Sequence, residues 1–105
     1  MNYWIDPTGK VHRCASHDNF AKELLCDHLY DYESSTAYLH SMGWVRLQVF
    51  PRYLNVLGNT VDLKKPMRNT IDPAMNQRQI RTVKSFLKDL NLEYDHTIFG
   101  TGENQ

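Results

Sequence analysis

At 105 residues, with 41% hydrophobic and 23% charged residues, the chain is long enough to bury one core without disulfides or metal and short for two ordinary domains. Its 12 basic residues balance 12 acidic ones, which excludes a disordered polyelectrolyte. The balance is uneven: residues 1–43 sum to −3, residues 44–92 to +6 and the last thirteen to −3, so the total hides a basic middle suited to an acidic partner.

The first ten residues, MNYWIDPTGK, lack the apolar stretch of a signal peptide, and no later run approaches the roughly 18 apolar residues of a membrane span. A cytoplasmic protein with reduced thiols at Cys14 and Cys26 is therefore expected. Tyr3–Ile5 and Val11–Cys14 flank Asp6-Pro7-Thr8-Gly9. Asp accepts a local backbone hydrogen bond, Pro presets φ and Gly permits the exit conformation, so the stretch predicts a type I turn in a hairpin with Trp4 as a core anchor. A helix is predicted from about His17 to Tyr32, capped by Ser16, with Ala15 and Phe20 at staple spacing and Phe20, Ala21, Leu24, Leu25, His28, Leu29 and Tyr32 on its buried face. Ser34 or Ser35 would cap a second, shorter helix running to Met42, with Tyr38, Leu39 and Met42 buried and Gly43 just past its end.

Sustained alternation occurs from Gly43 to Leu57. Val45, Leu47 and Val49 share one face of a strand, the core face, and Trp44, Arg46, Gln48 and Phe50 share the other. Pro51 ends that strand, Tyr53–Leu57 forms a second, and Gly58-Asn59 reads as a turn or bulge. Thr60 to Thr70 reads as a polar, basic loop with Lys64, Lys65 and Arg68, its Pro66 excluding a continuous helix. Asp72-Pro73 predicts the start of a last helix to about Leu90. Its buried stripe would be Ile80, Val83, Leu87 and Leu90, with Arg78, Arg81, Lys84 and Lys88 centred roughly 145° away. Tyr94–Phe99 is expected as a short strand, and residues 100–105 as a frayed tail after a single domain spanning 1–99.

Several chemistries are weighed by their spacing. Cys14, His17, Cys26 and His28 are zinc-compatible residue types, but Cys26 and His28 lie about 200° apart on the expected helix and the spacing departs from the usual C-x(2-4)-C pattern; no metal or cofactor is assigned. A histidine-dependent nuclease would need a base, an acid and a charge stabiliser in one cleft. His12 with Arg46, or His96 with Asp95, could be so arranged, yet no spacing requires it. The P-loop, dinucleotide, G-x-S-x-G and HExxH patterns are absent, and no catalytic residue is assigned. A binding surface is the stronger expectation. Arg78, Arg81, Lys84 and Lys88 with the Lys64, Lys65 and Arg68 loop would meet phosphates or acidic protein, and Trp44, Arg46, Phe50 and Tyr53 would add an aromatic and basic platform if that sheet face is open. Against this stand two plain alternatives: a charged stripe is usual on any solvated amphipathic helix, and a helix or a second subunit would cover such aromatics.

WIDPTGKV at 4–11, AYLHSMGWVR at 37–46 and QRQIRTV at 77–83 together resemble a loose group of small uncharacterised phage and mobile-element proteins with a Trp-x-x-Pro-x-Gly turn, a Gly-Trp-Val-Arg strand and a Gln-led helix. The resemblance implies an accessory role and no particular activity. The combined expectation is one α+β domain, an antiparallel sheet of about four or five strands packed with two or three helices. Its function would be non-enzymatic: binding nucleic acid or an acidic protein surface, with no membrane role. The alternatives are a phage inhibitor or assembly protein that engages a host protein, with a homodimer through Trp44 and Phe50, and, last, the histidine-dependent nuclease.

Overall fold

The chain first turns back on itself at Asp6. In a computed structural model that describes residues 2–24, 32–64, 70–71 and 74–100, the Asp6 carboxylate accepts from the backbone N–H groups of Thr8 and Lys10 at 2.9 and 3.0 Å, and the Gly9 N–H closes the turn onto the Asp6 carbonyl at 2.9 Å. This joins β1 (Asn2–Ile5) to β2 (Val11–Cys14) as an antiparallel pair. β1 also pairs with β3 (Val45–Val49), which pairs with β4 (Tyr53–Val56), which pairs with β5 (Asn59–Asp62). The outcome is a five-stranded antiparallel sheet of order β2-β1-β3-β4-β5, and the domain is α+β.

β5 corrects the sequence expectation of a loop from Thr60 onward. Leu57 and Gly58 both take positive φ, 55° and 91°, the geometry of a two-residue type I′ turn whose twist matches a hairpin. Beyond it Val61 and Leu63 are buried while Thr60, Asp62 and Lys64 are exposed, so alternation continues where the charge pattern suggested a loop.

One sheet face packs on α3 (Gln77–Asp89). Tyr3, Ile5, Val45, Leu47, Val49, Leu54 and Val56 form a continuous core with Ile80, Val83 and Leu87, each such buried aliphatic contributing roughly 1.5–3 kcal/mol. The helix starts at Gln77 rather than at Asp72-Pro73, a pair outside the described residues. Ile71 and Met75 are buried and the Ala74 N–H bonds the Ile71 carbonyl, so the chain dips into the core before the axis begins. Asn76 then caps it in a reciprocal box, its side chain accepting from Gln79 N while the Gln79 side chain accepts from Asn76 N, both at 2.9 Å. The amide of Gln79, 1% exposed, also donates to the carbonyls of Ile5, Asp6 and Gly43.

The other face carries α1 (His17–Leu24) and α2 (Tyr32–Ser41). Trp4, Ala21 and Leu39 form a second, smaller core flanked by Cys14, Phe20 and Trp44. The expected extension of α1, with Leu25, Cys26, His28 and Leu29, lies outside the described residues, and Leu24 is exposed rather than buried. In α2 the correction is larger. Ser35 sits inside the helix and is buried, not capping it, whereas Tyr38 and Met42 are exposed; Leu39 is the apolar residue this helix turns inward. Its end matches expectation: Gly43 at φ 91° donates to His40 O and Trp44 N to Leu39 O, a Schellman motif.

Tyr94–Phe99 is not a strand. A 3-10 helix (His96–Phe99) is capped by Asp95, which accepts from Thr97 N at 2.8 Å. Ile98 and Phe99 are consecutive and both buried, and the Gly100 N–H closes the turn onto the Thr97 carbonyl at 3.0 Å. Backbone bonds from Ile71 N to Ile98 O and from Asp95 N to Leu63 O tie this segment down. Among the described residues no helix is long and apolar enough to cross a membrane.

Candidate binding surfaces

The structure divides the residues singled out in the sequence between opposite sides of the sheet. α3 buries its Ile80, Val83 and Leu87 stripe and turns Arg78, Arg81 and Lys88 to solvent. Lys84 stands on the flank of the stripe, is half-buried, and lays its Nζ 5.2 Å from the Phe99 ring centroid, a cation–π contact. Among the described residues none of these four cations is ion-paired, whereas Lys64 is bound to Glu93 at 2.8 Å. That hydrogen bond, with the charge of Lys64, lowers the Glu93 carboxyl below its usual range. Lys65 and Arg68 lie outside the described residues. A shallow surface depression of about 580 Å³ runs along the C-terminal end of α3, lined by Lys84, Lys88 and Tyr94.

The β1–β2 turn packs on the same helix. A Cβ at Gly9 would stand 2.9 Å from Thr82 Oγ1 and 3.0 Å from the Arg78 carbonyl, and the Thr82 hydroxyl donates to Gly9 O. Glycine is required there by this approach as well as by its φ of 95°. The exposed Lys10 follows directly, so a further cation joins this side of the molecule; nothing in the sequence linked it to a helix some seventy residues away.

On the opposite face Trp44 is half-buried against Trp4 of β1, His12 of β2 and Phe20 of α1, which together cover part of it. Among the described residues Phe50 and Tyr53 lie beyond that cover, and Arg46, opposite Trp4 in the β1–β3 pairing and near enough to His17 and His40 to act on both, stands at its edge. Arg46 is half-buried, and its Nη2 is 3.6 Å from where a Cβ at Gly58 would stand, which places the guanidinium at the β4–β5 turn. Phe50 and Tyr53 stack at 4.5 Å with an 18° interplanar angle. The platform imagined from Trp44 to Tyr53 is thus split into a covered end and an open end.

The histidines form a third grouping. His12 meets the Asp6 carboxylate at 2.9 Å. Burial acts most strongly on Asp6, pushing it up, but the bonds from His12, from the Thr8 hydroxyl and from the backbone of Lys10 and Thr8 outweigh it and bring the carboxyl to about 2. His17 and His40 pack against the fully buried Trp4, with ring centroids at 5.9 and 5.4 Å. His17 Nε2 bonds the Leu47 carbonyl at 3.0 Å; burial lowers its pKa first, the Tyr3 and Leu47 carbonyls and Asp18 oppose that, and Arg46 adds to it. His40 is lowered by burial, then by Arg46 and by His17, and its Nε2 is buried without a partner among the described residues. His12 and His17 are engaged with protein groups, and His96 is exposed beside Asp95 at 3.9 Å. Among the described residues no three His, Cys, Asp or Glu side chains are grouped to hold a metal ion, and Cys14 is half-buried with its thiol pushed up by burial.

Comparison of the chain with protein-family models, with curated proteins and with solved structures gave no match.

Proposed function

We propose that this is a small binding module that engages nucleic acid along the outward side of α3. The observation that carries the reading is the absence of any ion pair on Arg78, Arg81, Lys84 and Lys88 among the described residues, while Lys64 is neutralised by Glu93. A polyanion supplies a dense row of phosphates to such a face and gains further from the counterions it releases. The reading extends to an accessory protein of phage or mobile-element type acting in the cytoplasm, a type that its turn, strand and helix motifs resemble.

The test is a triple variant, Arg78→Ala, Arg81→Ala and Lys84→Ala, measured by fluorescence anisotropy on several labelled DNA and RNA sequences. The expected result is a uniform loss of affinity on all of them, because phosphate contacts carry no sequence information. Lys64→Ala, which removes a charge already paired, serves as the control and should change little. A triple variant that binds as well as the parent would reject the proposal. The host-protein and homodimer alternative predicts the reverse: little affinity for nucleic acid, and a dimer that Phe50→Glu disrupts.

A further inference from the structure

The sheet face opposite α3 is covered unevenly. The aromatic cluster under α1 and α2 is built on Trp4 of β1 with Cys14 of β2, and it includes no residue of β4 or β5. From the edge of this cluster, where Arg46 stands opposite Trp4, the strand pairings set out a short row. Arg46 stands at one end, Gln48 faces Asn55 across β3 and β4 in the middle, and the Phe50–Tyr53 stack closes the other end. These residues share one face because they alternate with the buried Val45, Leu47, Val49, Leu54 and Val56.

We infer that this row is a second, separate site, and that it takes a short single-stranded stretch of nucleic acid. Arg46 and Phe50 lie about four strand rises apart, about 13 Å, or roughly four phosphate rises of a stacked strand. One face of the Tyr53 ring is filled by Phe50, yet the side chain remains 37% exposed, leaving a surface on which a base stacks. Arg46 has no carboxylate partner among the described residues, so a phosphate supplies the charge it lacks. Between the two ends, Gln48 commits its amide N–H to Asn2 Oδ1 at 2.9 Å, which fixes the amide and leaves its oxygen side and Asn55 opposite for base edges. The acid on this face, Asp62 opposite Tyr53, directs Oδ1 to the Lys64 N–H at 2.9 Å. A duplex hides the base faces that the Tyr53 ring would stack on, which is why a single strand is the fitting occupant.

The inference shares the choice of partner with the α3 reading but uses none of its residues, so the two separate cleanly. The experiment titrates the full chain with a short oligothymidylate of about four nucleotides and maps amide shifts by NMR. Shifts should concentrate on β3 and β4. Tyr53→Ala should weaken binding about fivefold or more, with Tyr53→Phe restoring it, since the ring and not the hydroxyl does the stacking. Arg46→Gln should lower the salt slope by about one, while the Arg78, Arg81 and Lys84 triple variant leaves the β3–β4 shifts in place. Because Tyr53 is at the surface, Tyr53→Ala is expected to fold, and an unchanged amide spectrum in the free protein checks this. Shifts confined to α3 with Tyr53→Ala neutral would overturn this inference and leave the α3 reading standing. Equal binding of duplex with the same dependence on Tyr53 would also overturn it. No binding of either form would overturn both.

Discussion

The two layers against the sheet are built on different principles. On the α3 side the core is mainly aliphatic, with Tyr3 and Phe99 among it, and its buried polar group, Gln79, spends its amide on three carbonyls and on the cap of the helix. On the α1 and α2 side the core is aromatic and imidazole-rich, and two of its buried polar atoms, Ser35 Oγ and His40 Nε2, have no partner among the described residues. An unsatisfied buried group costs roughly 1–3 kcal/mol, so the second layer holds less of the fold's stability in reserve. The first layer is a scaffold that can afford a charged outer face; the second is where pH and ligands have leverage.

The sharpest way to break this contrast is in the first layer. Leu87→Ala, at a fully buried position, should cost about 2–5 kcal/mol and lower the urea midpoint seen by every probe at once. Next comes Gln79→Leu, which keeps the volume but removes the bonds to the Ile5, Asp6 and Gly43 carbonyls and half of the capping box, the Asp6 carbonyl keeping the Gly9 N–H; a loss of about 2–4 kcal/mol is expected, read in the same titration. A Gln79→Leu protein as stable as the parent would show that these carbonyls find water instead.

The smallest effect belongs to the second layer and depends on pH. His17 and His40 are both lowered below the ordinary 6.5, chiefly by burial. The unfolded chain therefore binds more protons than the folded one between the ordinary and the lowered values. The corresponding stability is fully present above about pH 6.5 and is lost as pH falls through the folded values. His40→Leu removes one of the two titrating groups together with its unpaired Nε2, so the fall in urea midpoint below about pH 6.5 should become shallower, with stability at neutral pH unchanged or slightly higher. An unchanged pH profile would show that His40 titrates freely in the folded protein.

How much of this was legible follows from which signals are local. The Asp6–Gly9 turn, the Val45, Leu47 and Val49 face, the Gly43 helix stop and the Ile80, Val83 and Leu87 stripe of α3 are all encoded within a few residues, and the structure has them; Leu90, expected in the same stripe, is exposed at the helix cap instead. β5 was obscured because Lys64 and Lys65 drew attention to charge while Val61 and Leu63 carried the alternation. The start of α3 was assigned to Asp72-Pro73, although Asn76 with Gln79 three residues later is a capping box in plain sequence. The segment at 94–99 reads as a short strand in sequence; the backbone bonds from Ile71 and Leu63 that hold it as a 3-10 turn are tertiary facts. The site was harder still. That Trp44 is covered while Tyr53 is not, and that the basic stripe and the aromatic row lie on opposite faces, depends on where α1 and α2 settle, which no spacing encodes.

The central claim, that the outward side of α3 binds a polyanion, is tested most directly by the salt dependence of affinity for a duplex. The account predicts that log K falls linearly with log salt, and that replacing Arg78, Arg81 and Lys84 by Ala reduces the slope by about 2 to 3. A slope near zero in the parent protein, or one the three substitutions leave unchanged, would contradict it.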